Sequence, residues 1–510
     1  MKQARANWGL IIFLAAAKFS LPFILQSPVY EPHRDEFLYL AEGHYVALGF
    51  MEVPPLLSVF AWLTNLFGST IFWIKFWPSL FGAVTVIYTC LVTAEFGGKI
   101  YAQLIAGLGI ISGAYLRMHF LFQPNALEIL FWTLSIYFLV RFIKNNETRF
   151  LYGLVFALVL SWWSKYSVVF FAASIVIALL LSKYRFMFLQ KKIYAAMLLG
   201  LLLILPNIWW QYANGWPLVF HMRELQETQL KFLSPVGFLT DQLLYLVPVV
   251  FVWIAGLIWL FKQKQWRFLG WTYFFIIALL VLGRGKSYYS MGIYPMLLGA
   301  GGVALQQLTE KRKWSRPFYI LVIVTLNLIL IPAILPIWEP HKLAAFYKKY
   351  KIEKTGLLKW EDQQNHPLPQ DFSDMLGWEE MVQKVAKAYS QLSPEEKKDV
   401  FIFCNNYGMA GAVNYYAPKY HLPPAYSDNA SFLYWLPLNK YITHMILVTD
   451  DPNEQQHDWA RGFQQIVKLD SVTNFYARER GDYIYLFKGA DENFNHFFKE
   501  KIEKDRAAFR

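Results

Sequence analysis

Two acids, Asp35 and Glu36, stand side by side in the stretch HRDEFLYLAEGHYVALGFMEVPPL, residues 33–56. The stretch directly follows an apolar run long enough to cross a bilayer. A helix over residues 35–48 puts Asp35, Tyr39 and Glu42 on one face, at i, i+4 and i+7. Leu38, Leu40, Ala41, Tyr45 and Leu48 then supply apolar surface, so the helix would lie in the membrane interface. A carboxylate at such a boundary is partly desolvated, which raises its proton affinity and suits it to general-base work. The plainer alternative makes Asp35 an N-terminal helix cap and the rest a solvated face. Pro54-Pro55 would stop one helix and start the next.

Cations answer these acids. Arg117 and His119 precede Gln123-Pro124-Asn125 and Glu128; the bland reading is a snorkelling arginine and a structural histidine. Lys165 sits in WWSKYS, where an aromatic-belt anchor is the bland reading. In GRGKSYYSMGIYP (283–295), Arg284 and Lys286 would grip a phosphate, with Tyr288 and Tyr289 as further donors and the glycines allowing close backbone approach. There is no P-loop, no G-x-G-x-x-G after a strand, no H-E-x-x-H and no G-x-S-x-G. The ten histidines lack metal-ligand spacing. Gly408 and Gly411 follow a strand-like run, and packing at a helix start is their stronger reading.

The elements that position these residues are membrane spans. Of 510 residues, 56% are hydrophobic and 16% charged, well below the quarter charged of a soluble domain. Eleven spans are expected, near 8–27, 70–93, 99–116, 125–143, 150–165, 167–182, 193–211, 241–261, 267–283, 288–307 and 317–338. Residues 1–5 are basic, but no convincing cleavage site follows, so the first apolar run reads as a retained helix. The net charge of +12 lies mostly in alternate loops, including Lys2 and Arg5, Arg141, Lys144 and Arg149, and Lys311 to Lys313. That is the positive-inside pattern, with the N-terminus inside, and it argues against a nucleic-acid footprint. Arg34, Arg117, Lys165, Arg223, Lys231, Arg284 and Lys286 then lie outside, where topology does not require them. Cys90 and Cys404 suggest neither a disulfide framework nor a metal site.

Residues 1–340 thus read as a multi-span catalytic domain with an amphipathic outer loop at 28–69, and residues 341–510 as an extracytoplasmic domain. After a linker-like stretch at 361–370, the strand-like runs 400–403, 444–450 and 482–487 alternate with helical patterns such as 378–392, which is α/β composition.

Together these stretches resemble the protein O-mannosyltransferase and lipid A aminoarabinose-transferase superfamily, glycosyltransferase family 39, of the GT-C fold. The resemblance rests on the Asp-Glu stretch, LPNIWWQYANGWP (205–217), FLTDQLLYLVPVVFVWIAGL (238–257) and GKSYYSMGIYPMLLGAGG (285–302). DMLGWEEMV and NNYGMAGAVNYYAPKYHLPPAYS in the tail are similar to the outer domain of one bacterial subgroup. It implies a polytopic helical membrane enzyme that moves a sugar from a polyprenyl-phosphate carrier to an acceptor hydroxyl outside the cytoplasmic membrane, usually with inversion. Asp35 then matches the catalytic carboxylate, with Glu36 a supporting acid. Lys286, with Arg284, Tyr288 and Tyr289, occupies the carrier-phosphate region, and Arg117, His119, Lys165, Tyr39, Glu42 and Glu52 are further substrate contacts. Relatives often carry a histidine before the Pro-Pro step, where this chain has Glu52-Val53. The donor is a substrate, so no cofactor or required metal is expected, with a divalent ion near the carboxylates left open. The acceptor is a lipid, a glycan or a protein. A transporter or flippase of a lipid-linked sugar is the alternative from another class, and a non-catalytic scaffold is a third.

Overall fold

The computed structural model describes residues 5–228 and 230–508, so Lys2 of the basic N-terminus lies outside the described residues. Nearly every apolar run is helical. In chain order the membrane part comprises α1 (Trp8–Leu25), α2 (Arg34–Glu42), α3 (Leu56–Leu66), α4 (Ile71–Glu95), α5 (Ile100–Ile110), α6 (Ala114–Met118), α7 (Pro124–Asn145), α8 (Thr148–Ser164) and α9 (Val168–Leu180). It continues with α10 (Lys191–Ala213), α11 (Pro217–Thr228), α12 (Pro235–Leu244), α13 (Val250–Lys262), α14 (Arg267–Leu282), α15 (Tyr294–Leu308) and α16 (Arg316–Ile334).

Each expected span coincides with a helix or a broken pair of helices, but not all are long enough to cross by themselves. Five described helices have the length and apolarity to cross a membrane, and up to seven if two bent pairs each count as one span. One of those pairs, α12 with the helix after it, bends by 68°. The expected span at 99–116 is interrupted between α5 and α6, where Gly113 has a φ of +59°. The lipid-facing sides of α10 and α16 are exposed and apolar, whereas α4 and α7 lie largely inside the bundle.

The tail comprises α17 (Pro340–Lys349), α18 (Gln370–Ser373), α19 (Trp378–Ser390), β1 (Val400–Cys404), α20 (Tyr407–Tyr420), β2 (Ala425–Tyr426), α21 (Phe432–Trp435), β3 (His444–Thr449), β4 (Phe463–Ser471), β5 (Tyr483–Ala490) and α22 (Glu492–Ala508). Its five strands form one mixed sheet in the order β2-β1-β3-β5-β4. β1 pairs parallel with β2 and β3, and β5 pairs antiparallel with β3 and β4. Alternation along the strands supplies two cores. Ile402, Ile446, Val448 and Leu486 join the cluster with Met381, Val385 and Val413 of α19 and α20. Phe401, Met445, Leu447 and Phe487 face the other way, onto Phe494 and Ile502 of α22.

The segment before α2 stitches the two parts together. The Glu31 carboxylate accepts from the backbone N–H groups of Trp378 (3.2 Å) and Glu379 (2.7 Å) and from the Tyr416 hydroxyl (3.0 Å). A charged acceptor from a distant segment thus serves the orphan donors at the N-terminus of α19. The expected interfacial helix over 35–48 is therefore corrected. α2 ends at Glu42 and lies between α3 and α20, covered by protein rather than by lipid. Gly43 sits against α3 so closely that a Cβ there would come within 2.6 Å of the Trp62 nitrogen. Pro54-Pro55 starts α3, but the preceding helix has already ended twelve residues earlier.

Candidate active site

The first turn of α2 separates the paired acids. His33, not Asp35, is the N-cap: its Nδ1 accepts from the Asp35 N–H at 3.1 Å. Glu36 completes the capping box by accepting from the His33 N–H at 2.8 Å. Both Glu36 oxygens also lie 2.8 Å from Lys75 Nζ, and the Phe122 N–H donates to Oε1 at 2.6 Å. Glu36 is fully buried and saturated with donors, so the supporting-acid assignment is corrected to a structural post that joins α2, α4 and the 119–123 turn. Removing one partner of a buried ion pair typically costs about 3–5 kcal/mol. Glu36→Ala is therefore expected to lower the melting temperature sharply in detergent-solubilised protein, a loss that measurement of thermal unfolding checks.

Asp35 points the other way. Its Oδ1 accepts from the Tyr407 hydroxyl at 2.8 Å and its Oδ2 from Gln123 Nε2 at 3.0 Å. Gln123 Oε1 accepts from Asn125 Nδ2 at 3.1 Å, and Asn125 Oδ1 accepts from Lys165 Nζ at 2.7 Å. Lys165 also pairs with Glu128 at 3.1 Å, and its ammonium lies 4.0 Å above the Tyr289 ring and 5.0 Å from that of Tyr288. Ser167 donates to the other Glu128 oxygen. An unbroken chain of hydrogen bonds therefore runs from Asp35 to Lys165, whose ammonium meets the tyrosine pair through cation–ring contacts. Lys165 is no lipid-facing anchor, because a carboxylate, an amide and two rings surround it.

The turn carrying Lys286 and the tyrosines is fixed from α12. Asp241 accepts from Ser287 Oγ (2.7 Å), while Gln242 Oε1 accepts from the Ser290 (2.6 Å) and Tyr294 (2.7 Å) hydroxyls. Among the described residues neither Arg284 nor Lys286 has a carboxylate partner. The positive field of Lys286, after burial, contributes to pulling the His221 imidazole down to about 4. An ammonium without a carboxylate partner is a position where an anion would be stabilised. Arg284 itself is exposed and has a φ of +51°, so the left-handed turn falls on the arginine and not on the flanking glycines.

Other expected contacts lie elsewhere. Arg117 pairs with Asp371 of the tail, with its guanidinium 5.1 Å from the Phe372 ring. His119 is completely buried, with its Nδ1 3.1 Å from the Tyr115 carbonyl and its Nε2 without a hydrogen-bond partner among the described residues, so neither Arg117 nor His119 joins the hydrogen-bonded chain at Asp35. The carboxylate of Glu52 accepts from the Ser431 N–H (2.6 Å) and hydroxyl (2.7 Å), tying the outer loop to α21. Tyr39 faces Asp35, Glu42, Glu52 and Tyr407, and burial followed by those charges pushes its hydroxyl well up. Glu42 is fully buried with both oxygens unpartnered, and burial first, then Glu52, raises its carboxyl well above the usual range. A raised folded-state value means the folded chain holds a proton that the unfolded chain releases, so stability falls as pH rises above about 4.5. Glu42→Gln abolishes that loss, by up to about 1.4 kcal/mol per pH unit. Melting temperatures at pH 5 to 8 are expected to diverge between the two proteins as pH rises.

Sequence reasoning missed Tyr407, His33, Lys75, Asn207, Asp241 and Gln242. All but Lys75 lie inside the quoted stretches: His33 in the Asp-Glu stretch, Tyr407 in NNYGMAGAVNYYAPKYHLPPAYS, Asn207 in LPNIWWQYANGWP and the acid–amide pair in FLTDQLLYL. Asn207 Oδ1 accepts from Trp162 Nε1 (3.0 Å) and the Tyr166 hydroxyl (3.1 Å), and its Nδ2 donates to the Leu48 carbonyl (2.7 Å), pinning the WWSKYS corner. Beside this corner a cavity of about 360 Å³ opens between Gly49, Phe50, Trp210, Asn214, Tyr434 and Trp435. His33, Asp371 and Asp374 bring metal-type donor atoms within 4.8 Å of one another. The two aspartates already pair with Arg117 and Arg478, so the group reads as an ion network between the two parts.

The chain is a multi-pass membrane protein with the fold of solved GT-C glycosyltransferases. ArnT from Cupriavidus metallidurans, solved with undecaprenyl phosphate, aligns with a TM-score of 0.60 at 12% identity, over 95% of this chain and 98% of that one. The oligosaccharyltransferase AglB from Archaeoglobus fulgidus, solved with an inhibitory peptide and a dolichol-phosphate, aligns with a TM-score of 0.50 at 11% identity, over 87% of this chain and 69% of that one. At such identities the likeness is one of fold. In sequence, residues 52–210 match the dolichyl-phosphate-mannose-protein mannosyltransferase family, in agreement with the resemblance carried by the motifs. No curated protein sequence matches the chain.

Proposed function

We propose that the protein transfers a sugar from a polyprenyl-phosphate carrier to an acceptor hydroxyl, with inversion, at the outer face of the cytoplasmic membrane. The observation that carries this reading is the hydrogen-bonded chain from Asp35 through Gln123 and Asn125 to Lys165, which lies within the field of Lys286. It supports reading the acid and the cations as parts of one site. Asp35 takes the proton of the acceptor hydroxyl, and the oxygen attacks the anomeric carbon from the side opposite the phosphate. The bond from that carbon to the phosphate oxygen breaks, and its electron pair leaves with the carrier phosphate. Lys286 stabilises the charge gathering there, as fixed cations in a water-poor site do best. Tyr288 and Tyr289 line the same position, and Arg284 stands at its exposed edge. Tyr39, which faces Asp35 and Glu52, is the neighbouring hydroxyl on the acid side of the site.

The family match, and a shared fold with a protein solved with undecaprenyl phosphate, support a lipid-phosphate donor. The same reading has eleven crossings, with the N-terminus inside and residues 341–510 outside, so that both the carboxylate and the phosphate cations face the outer leaflet. Liposomes carrying the full-length protein and undecaprenyl-phosphate-linked hexoses or pentoses test it. Asp35→Asn should lose transfer and keep donor binding. A variant defective only in moving the donor across the bilayer would instead identify a transporter.

A further inference from the structure

α20 of the outer domain packs directly on α2, and two glycines allow the approach. A Cβ at Gly411 would lie 2.7 Å from the Phe37 Cβ and 3.0 Å from its backbone carbon. One at Gly408 would lie 2.6 Å from Arg34 Cγ. Asn406 caps α20 by accepting from the Met409 N–H at 3.0 Å, which fixes the direction of its first residue, Tyr407. The Arg34 guanidinium stands 4.9 Å from the Tyr407 ring, and its Nε is 3.8 Å from Glu479 of the outer domain. The result of this docking is the 2.8 Å hydrogen bond from the Tyr407 hydroxyl to Asp35 Oδ1.

A carboxylate at the start of a helix turns freely about its side-chain bonds unless both oxygens are held. Here Gln123 holds one oxygen from the membrane part and Tyr407 the other from the outer domain. A carboxylate has about four lone-pair directions, so two donors fix its plane and leave others free for an acceptor hydroxyl. We propose that Tyr407 is a positioning residue for the reaction, and that the outer domain completes the active site by aiming Asp35 rather than serving only to select an acceptor. The inference rests on the sugar-transfer reading above. It gives the docked state a chemical consequence: undocking α20 frees one carboxylate oxygen, and small misplacements of reacting groups cost rate steeply.

Tyr407→Phe removes the hydroxyl and keeps the ring beneath Arg34. The test places the full chain and its variants, at equal membrane levels, in cells lacking the native copy. The readout is the rate at which the sugar mass increment appears on cell-envelope lipids or glycans. Tyr407→Phe is expected to lower that rate roughly tenfold to a hundredfold with an unchanged melting temperature. In an Asp35→Asn background the same change should cost less than about twofold, because residues acting as one unit are not additive. Equal losses in both backgrounds, or no loss in either, overturn the inference. If Asp35→Asn has no effect on the increment, the sugar-transfer reading itself fails. If Asp35→Asn is inactive and Tyr407→Phe is as fast as the native protein, only the positioning role fails. A 3-fluorotyrosine at position 407 reports the contact without any turnover. Its ¹⁹F resonance should move on Asp35→Asn, and an unmoved resonance overturns the inference.

Discussion

Asp35→Asn is expected to reduce sugar transfer by about 10²–10⁴-fold, the usual contribution of a positioned general base. The amide keeps the shape of the carboxylate and can still accept from Tyr407 or Gln123, so α2 and its docking should survive. The fold around it does not depend on Asp35, because the capping of α2 falls to His33 and Glu36. Donor binding should be retained, since the residues around Lys286 are held by Asp241 and Gln242 rather than by Asp35. The loss is therefore expected in kcat, with the KM for the lipid-linked donor little changed. Initial rates at saturating donor, with melting temperature as the control, check it.

Lys286→Ala is expected to have the next largest effect. In the proposed reaction it removes the unpaired ammonium from the place where the leaving phosphate would gather charge. Loss of one such stabilising group typically costs about 10²–10³ in rate. Donor binding should weaken as well, because the ground-state phosphate already carries charge, so kcat and KM both change. His221 provides an internal check. With the Lys286 charge gone, part of the force depressing its imidazole disappears, and its titration should move upward from about 4. Lys286→Arg keeps a cation and should recover part of the rate. Full activity in Lys286→Ala would mean that the phosphate is held elsewhere.

The two substitutions separate what was legible in the sequence from what was not. The apolar runs were readable because a helix that spans a membrane needs a long apolar stretch, and helices stand at every such place. The end of α2 was not readable. Its apolar pattern continues to Leu48, but the helix ends at Glu42, and the Gly43 that follows packs on α3 where no side chain would fit. In the tail, β1, β3 and β5 announced themselves by compact β-branched and aromatic runs. β4, FQQIVKLDS, is an edge strand with a bulge between Lys468 and Asp470, and its exposed polar residues concealed it. The linker-like stretch at 361–370 contains a buried Leu368, whose carbonyl accepts from Trp360 Nε1 at 2.8 Å, so its proline and polar residues form a packed turn.

At the site, motif resemblance pointed to Asp35 and to the Lys286 turn, but it could not divide labour between Asp35 and Glu36. Adjacent residues on a helix point about 100° apart, and which one turns inward depends on distant partners. Lys75, the Phe122 N–H and Tyr407 are 39, 86 and 372 residues away from the acids they bind. The same reason explains Arg117 and His119. Both sit among outer-side cations in the sequence, yet a tail aspartate and a backbone carbonyl have already engaged them.

The most direct test of the central claim is mass spectrometry of cell-envelope lipids and glycans from three otherwise identical strains. One carries the native chain, one lacks it, and one carries Asp35→Asn at the same membrane level. The account expects one hexose- or pentose-type mass increment in the first strain, its absence from the second and its accumulation at a strongly reduced rate in the third. An increment that persists undiminished with Asp35→Asn would contradict it.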